Sequence, residues 1–184
     1  MKGVVFTEFL EMVEDRFSPD MADRIIEEAD LHSGGAYTTI GTYDHAEMLR
    51  LVTCLSKETG IDAADLYRTF GIHLFKRFYV MFPDYFSGLP TAFDFLQRVE
   101  NYIHIEVRKL YPDAELPTFG HELAGPDRLV ITYRSKRPFA PLADGLIRGC
   151  VGHYGEPIEV EMEDLSGGVG TMARFVLTRQ NPPQ

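Results

Sequence analysis

The chain has 184 residues, enough for one domain with a sizeable hydrophobic core. Its formal net charge of −10 argues against binding to nucleic acid or to an anionic membrane surface, since both repel an acidic protein. Hydrophobic residues make up 45% and charged residues 25%, which is the balance of an ordinary globular protein rather than a disordered one. We therefore expect a folded protein that binds neither nucleic acid nor membrane.

The first part of the chain is predicted to be helical. Apolar residues at helical spacing predict helices over residues 3–17, 18–30, 43–59, 62–80 and 91–111. Ser18, Asp62 and Thr91 are placed to cap three of these helices, and Pro112 stops the last one.

After Pro112 the pattern changes to strands around one helix. Alternating or β-branched segments predict strands over residues 116–122, 128–134, 158–162 and 171–177, with a helix over residues 139–154. The last four residues, 181–184, are predicted to form a frayed tail. Helices first and then an antiparallel sheet with one inserted helix indicate an α+β fold.

The cysteines and the N-terminal residues indicate the cellular compartment of the protein. Cys54 and Cys150 lie in apolar helical surroundings without metal-ligand spacing, which is typical of buried thiols in a reducing compartment. Glu8 interrupts the apolar start of the chain, so a secretory signal is not expected, and no segment approaches membrane-spanning length. These features predict a cytoplasmic protein.

The segment that follows the strand over residues 128–134 has the composition of a carboxylate clamp. Tyr133, Ser135 and Arg137 are two residues apart, which in an extended chain places their side chains on one face at ~6.5–7 Å intervals. Two hydroxyls and a guanidinium fork are suited to binding carboxylates. A flat cofactor with two carboxylates on one edge, held at its face by a histidine, needs these parts, and haem is such a cofactor.

His104 is the candidate for that histidine. On the helix over residues 91–111 it falls at the margin of the apolar stripe, where its ring can reach an apolar cavity. A lone histidine in such a place is more often a structural hydrogen-bonding residue than a ligand. The downstream Tyr133, Ser135 and Arg137 favour the ligand interpretation.

With these residues the chain resembles the haem-nitric oxide/oxygen-binding (H-NOX) family, the bacterial relatives of the soluble guanylate cyclase haem domain. The resemblance covers essentially the whole length. The matching segments are Met1-Lys2-Gly3, Phe82-Pro83-Asp84-Tyr85-Phe86, residues 102–111 around His104, Glu115-Leu116-Pro117, Tyr133-x-Ser135-x-Arg137 and residues 145–149.

The resemblance implies a single domain over residues 1–184, with a helical lobe over about residues 1–60 packed on a haem lobe over about residues 61–180. In that lobe His104 is the proximal iron ligand of haem b, and Tyr133, Ser135 and Arg137 hold the propionates. Pro117 matches the proline that bends the macrocycle. The implied lining of the distal pocket consists of Val5, Phe9, Leu74, Phe78, Leu142 and Leu146.

The distal residues bear on which gas is bound. Dioxygen-binding members place a tyrosine where this chain has Leu142, and polar groups where it has Phe9 and Leu74. Bound dioxygen carries partial negative charge and needs a hydrogen-bond donor, whereas nitric oxide hardly does. We therefore expect a nitric oxide sensor that excludes dioxygen, with carbon monoxide as a further ligand. Tyr79 or Tyr85 swinging into the pocket is the alternative source of a donor.

The resemblance also bears on zinc and on partners. Some relatives carry a zinc site built from cysteines and a histidine in their last strands; this chain has neither there, so no zinc is expected. The implied mechanism is that nitric oxide weakens the bond between iron and His104, the haem relaxes against Pro117, and the helical lobe shifts. The implied partner is a histidine kinase or a diguanylate cyclase/phosphodiesterase.

Two other functions remain open at this point. The first is a cofactor-free α+β interaction module, in which Tyr133, Ser135 and Arg137 merely end a strand. The second is a haem peroxidase or oxygenase, but peroxide cleavage needs a distal acid–base group, and Leu74 and Leu142 offer none. The sensor is expected ahead of both.

Overall fold

Helices occupy most of the chain before residue 111, and a four-stranded sheet follows. The computed structural model describes residues 1–180, so the predicted tail over residues 181–184 lies outside the described residues. The helices are α1 (Gly3–Arg16), α2 (Pro19–Glu28), α3 (His45–Thr59), α4 (Ala63–Met81), α5 (Ala92–Arg98), α6 (His104–Leu110) and α7 (Ala140–Tyr154). The strands are β1 (Thr118–Leu123), β2 (Arg128–Arg134), β3 (Ile158–Asp164) and β4 (Met172–Arg179). The predicted α+β fold is confirmed.

Side-chain caps account for where several helices begin. Ser18 accepts a hydrogen bond from the backbone N–H of Met21 at 3.1 Å, and Asp62 accepts one from Ala64 at 2.8 Å. Each oxygen satisfies a backbone donor that the first helical turn leaves without a partner. At the other end of α3, Gly60 adopts a left-handed conformation (φ 72°) that a residue with a Cβ adopts only with strain.

The predicted continuous helix over residues 91–111 is wrong in one respect. Between α5 and α6 the chain forms a π-helical turn, Val99–Ile103, which ends immediately before His104. The backbone N–H of His104 bonds to the carbonyl of Val99, five residues earlier, instead of the usual four. Apolar spacing along the sequence reports the average period of a helix and does not reveal one wider turn.

The sheet is antiparallel throughout, with strand order β1-β2-β4-β3. In the register of the two central strands, Ile131 of β2 faces Phe175 of β4, and Tyr133 faces Ala173. These side chains are buried and pack with residues of α5 and α7 in one hydrophobic core.

A second hydrophobic core joins the first four helices. It is built around Phe6, Phe9 and other buried residues of α1 to α4, and it also takes in Leu142 from α7. The long helix α4 contributes to both cores, Leu74 to this one and Phe75 to the one under the sheet. The division into lobes near residue 60 stays a prediction. Within residues 1–180, none of the helices combines the length and the apolar character needed to cross a bilayer.

Candidate haem site

His104 begins α6 and is nearly buried, with 8% of its surface exposed. Its Nδ1 lies 3.1 Å from Oε2 of Glu100, one residue into the π-helical turn. Its ring also packs against that of Phe119 on β1, with 5.7 Å between the ring centroids. These contacts fix the orientation of the imidazole.

The electrostatic surroundings of His104 favour a neutral ring. Burial lowers the pKa of the imidazole, and the hydrogen bond with Glu100 opposes that effect. A carboxylate can only accept hydrogen bonds, so the proton belongs on Nδ1. The other nitrogen, Nε2, has no hydrogen-bond partner among residues 1–180, and a neutral imidazole with a free nitrogen is the form that ligates iron.

The spacing of Tyr133, Ser135 and Arg137 predicts that their side chains share one extended face. The structure differs, because the three residues do not lie in one continuous strand. Strand β2 ends at Arg134, so only Tyr133 lies within it. The backbone N–H of Ser135 bonds to the carbonyl of Thr171 at 2.9 Å, and that of Arg137 then bonds to Oγ of Ser135 at 3.0 Å. In this second bond the Ser135 hydroxyl accepts from a backbone N–H two residues later. Such a local bond closes a turn, and the chain then leads into α7.

Tyr133 and Arg137 differ in their surroundings. Tyr133 is 2% exposed, and burial raises the pKa of its hydroxyl, with Ser135 and the Phe139 backbone acting in the opposite direction. Arg137 donates to the carboxylate of Glu115, an exposed residue two positions before Pro117. Glu115 was not among the residues predicted for the site.

Phe119 lies between His104 and Tyr133 and contacts both. Its ring lies 5.5 Å from that of Tyr133 and 5.7 Å from that of His104, measured between centroids. The half-buried Pro117 precedes the strand that carries Phe119. The structure therefore brings together His104, Tyr133 and the Pro117 segment, which are far apart in sequence.

The six residues predicted for the distal pocket also come together. They belong to the hydrophobic core of the first helices or pack against it, and they are Val5 and Phe9 on α1, Leu74 and Phe78 on α4, and Leu142 and Leu146 on α7. Phe9, Leu74 and Leu142 are buried, and the other three are half-buried. Leu146 packs against both cores, so it marks where they meet.

Glycines set the spacing of α4 and α7, the two helices that carry four of these residues. Gly71 of α4 and Gly145 of α7 face each other so closely that a Cβ on Gly145 would lie 2.8 Å from the Cα of Gly71. Backbones without side chains between them can approach to this distance. The contact places Leu74 next to the helix that carries Leu142 and Leu146.

Tyr67 places a polar group in this core and was not among the residues predicted for the site. Its hydroxyl is buried and has no hydrogen-bond partner among the described residues. Burial raises the pKa of that hydroxyl well above its usual value. The ring packs edge-on against Phe139, just before α7, with 5.7 Å between centroids.

The two tyrosines considered as alternative donors are held elsewhere by aromatic contacts. Tyr79 packs against His153, with 4.1 Å between centroids, in the last turn of α7. Leu142 is in the first turn of that helix, so about 16 Å of helix axis separates the two ends. Tyr85 stacks on Phe82 at 5.8 Å.

Two open clefts lie away from these residues. One has a volume of about 400 Å³ and is lined by His32, Ser33, Thr42, Tyr43, Asp44, Ala46, Glu47 and Arg50. The other, of about 320 Å³, is lined by Gly88, Leu89, Pro90, Asp94, Gln97 and Arg98. Neither includes a predicted haem-site residue. The candidate site therefore rests on the chemistry of its side chains rather than on the form of a cleft.

No three histidine, cysteine or acidic side chains within the described part of the chain converge as a metal site. The expectation that this protein holds no zinc stays a prediction. A single axial histidine, in contrast, is enough for haem iron, because the porphyrin supplies the other nitrogens.

Comparison with known proteins shows the family. The Haem-NO-binding family model matches residues 2–162. An Fe(II) unliganded H-NOX protein from K. algicida is 38% identical with a TM-score of 0.93, over 99% of this chain and 98% of that one. A search of curated protein sequences finds no match. The chain belongs to the H-NOX family.

Two further solved structures are similar. The IWP-051-bound H-NOX from Shewanella woodyi, in the Fe(II)CO state, is 37% identical with a TM-score of 0.82, over 98% of this chain and 95% of that one. An H-NOX protein from S. oneidensis in the Fe(II)NO state is 21% identical with a TM-score of 0.90, over 98% of this chain and all of that one. At that identity the second likeness concerns the fold alone.

The family defines the general function of the chain. H-NOX domains bind haem and sense gases, and they are sensor modules rather than enzymes. The residues present fit the cofactor in two respects. His104 offers a neutral imidazole whose Nδ1 is already occupied, and Arg137 already holds a carboxylate, the group that a haem propionate provides.

Proposed function

We propose that this protein is a nitric oxide sensor whose ferrous haem b also takes carbon monoxide but not dioxygen. The observation that carries the proposal is the apolar character of the distal residues. Phe9, Leu74 and Leu142 are buried in one hydrophobic core and offer no hydrogen-bond donor. A dioxygen ligand needs such a donor, whereas nitric oxide and carbon monoxide carry little charge.

In this proposal the two sides of the cofactor are held by different elements. His104 would supply the nitrogen that holds the iron, and Tyr133, Ser135 and Arg137 would hold the propionates. Arg137 would exchange the carboxylate of Glu115 for a propionate, and this exchange costs little because the exposed Glu115 side chain returns to water. Pro117 would contact the macrocycle from the segment before β1.

The six apolar residues of α1, α4 and α7 form the distal side. When bound, haem would supply a ferrous iron able to take a diatomic gas, and His104 would be the residue that holds this iron. A change in the hold on His104 would act on the start of α6, which the π-helical turn connects to α5. The two cores then shift relative to each other at α4 and α7, which contribute to both.

A conformational signal needs a partner that binds the two states with different affinity. We propose a cytoplasmic histidine kinase or diguanylate cyclase/phosphodiesterase as that partner. The net charge of −10 makes nucleic acid and anionic membranes poor alternatives.

The relatives support this ligand assignment. The S. woodyi H-NOX, at 37% identity, was solved in the Fe(II)CO state. The K. algicida H-NOX was solved as the unliganded ferrous protein. The unliganded and carbon monoxide-bound ferrous states are among those that we propose for this chain.

The selectivity is tested on the haem-loaded, dithionite-reduced protein after the reductant is removed. The visible spectrum is recorded during titration with nitric oxide, with carbon monoxide and with air-saturated buffer. We expect saturable shifts with the first two gases and no oxygenated species with air. A stable oxygenated spectrum in air would contradict the proposal, and a protein that stays colourless when supplied with excess haem would favour a cofactor-free module. Peroxide turnover by the holoprotein would favour an enzyme.

A further inference from the structure

Glu100 has three polar neighbours that meet at the proximal side of the candidate site. Oε2 lies 3.1 Å from Nδ1 of His104 and accepts a hydrogen bond from the backbone N–H of Phe119, also at 3.1 Å. Oε1 lies 3.7 Å from a guanidinium nitrogen of Arg108. With 24% of its side chain exposed, this carboxylate faces the protein more than the solvent.

The local backbone brings these groups together. Glu100 lies in the π-helical turn Val99–Ile103, and His104, four residues after Glu100, directly follows that turn. Residues four apart on a helix are neighbours on its surface, so the Glu100 carboxylate is within hydrogen-bond distance of the His104 imidazole. Phe119 belongs to β1, the strand that begins directly after Pro117.

We propose that Glu100 is the positioning residue for His104 as the iron ligand. Its carboxylate ties the imidazole of His104 to the strand that follows Pro117. This inference rests on the proposed function, because it assigns a role toward haem iron. Glu100 holds the proton on Nδ1, leaves Nε2 as the ligating nitrogen, and increases electron donation from the ring to the metal. Outer-shell carboxylates have this effect on ligating histidines in general.

The second hydrogen bond of Glu100 adds a mechanical link. Because one oxygen serves both His104 and Phe119, a movement of the imidazole changes the hydrogen bond to β1 as well. The strand begins at Thr118, so Pro117 is the first residue before it. Displacement of the histidine therefore reaches the segment proposed to press on the macrocycle.

Three variants separate the effects of charge and hydrogen bonding. Glu100→Gln keeps an acceptor for both N–H groups and removes the negative charge. Glu100→Ala removes both. Glu106→Gln is the matched control. It makes the same charge change at a residue of α6 that pairs with Lys109 and that, within residues 1–180, has no hydrogen bond with His104.

The first readout is the frequency of the iron–histidine stretch, measured by resonance Raman spectroscopy on the reduced haem-loaded proteins. We expect a shift to lower frequency in both Glu100 variants and none in Glu106→Gln. The second readout is the rate of haem transfer to excess apomyoglobin, which Glu100→Ala should increase about tenfold. The third is the tautomer of His104 from ¹⁵N NMR before haem is added, where Glu100→Ala should lose the preference for Nδ1–H.

The outcomes distinguish this inference from the proposed function. A wild-type protein that shows an iron–histidine stretch, with the same frequency and the same haem transfer rate in all three variants, would overturn the role of Glu100 and leave the sensor proposal intact. A wild-type protein that takes up no haem would overturn both. Lower thermal stability of the Glu100 variants with unchanged Raman frequency would show a purely structural residue and would also overturn it.

Discussion

Gly145 of α7 lies against the carbonyl of Arg68 on α4, with no room for a Cβ between them. We expect Gly145→Ala to force these helices apart and to cost about 1–3 kcal/mol in the free energy of unfolding, the usual effect of overpacking. Urea unfolding measures this cost. Gly152→Ala is the control on the same helix, because a Cβ there meets no atom within 4 Å. Equal stability of the two variants would show that the close contact does not restrain the helices.

The proposed place of Leu142 in the distal pocket predicts what a hydrogen-bond donor at this position would do. Leu142→Tyr places a hydroxyl among buried apolar residues of α1 and α4, so dioxygen should gain a hydrogen bond and form a detectable ferrous complex in air. Leu142→Phe adds the same ring without the hydroxyl and should not. Visible spectra of the reduced proteins in air make the comparison. If both variants behave alike, Leu142 does not face the ligand.

The Tyr67 hydroxyl, which has no hydrogen-bond partner within residues 1–180, predicts a stabilising substitution. A buried hydroxyl without a partner costs about 1–3 kcal/mol, so Tyr67→Phe should raise the free energy of unfolding by an amount in that range. Tyr37→Phe is the contrasting variant, because its hydroxyl donates to Glu47 at 2.6 Å, and its loss should destabilise the protein. A destabilised Tyr67→Phe in urea unfolding would mean that the hydroxyl is hydrogen-bonded in solution.

Asp144 is fully buried on α7 and pairs with Arg68 at 2.6 Å and Arg148 at 2.9 Å. Removing the carboxylate leaves two guanidinium groups without their buried partner, so Asp144→Ala should cost about 3–5 kcal/mol in the free energy of unfolding. Asp65 pairs with the same Arg68 from the surface, and Asp65→Ala should cost about 0–1 kcal/mol. Similar losses for both, measured by urea unfolding, would contradict the buried role of Asp144.

The order of helices and strands could be predicted because local chemistry decides it. Ser18, Asp62 and Thr91 cap the helices that they were expected to cap, since each side chain accepts from a nearby backbone N–H. Pro112 lies two residues past the end of α6, where its missing N–H prevents a further turn.

The details of the site depend on contacts that a sequence does not display. The π-helical turn before His104 leaves the apolar pattern unchanged, and Ser135 ends the strand by bonding its hydroxyl to the Arg137 backbone. Glu115 lies 22 residues before Arg137, so no local pattern indicates their pairing. Glu100 did leave a signal, because a carboxylate four residues before a candidate histidine ligand lies on the same helical surface.

The proposed sensor function depends on one claim, that His104 holds haem iron in this protein. The most direct test is the visible absorption spectrum of the reduced protein after haem is added to the wild type and to His104→Gly. The wild type should bind one haem per chain and show a ferrous, histidine-ligated spectrum, and the variant should lose that spectrum. A wild type that binds no haem, or a variant whose spectrum is unchanged, would contradict the claim.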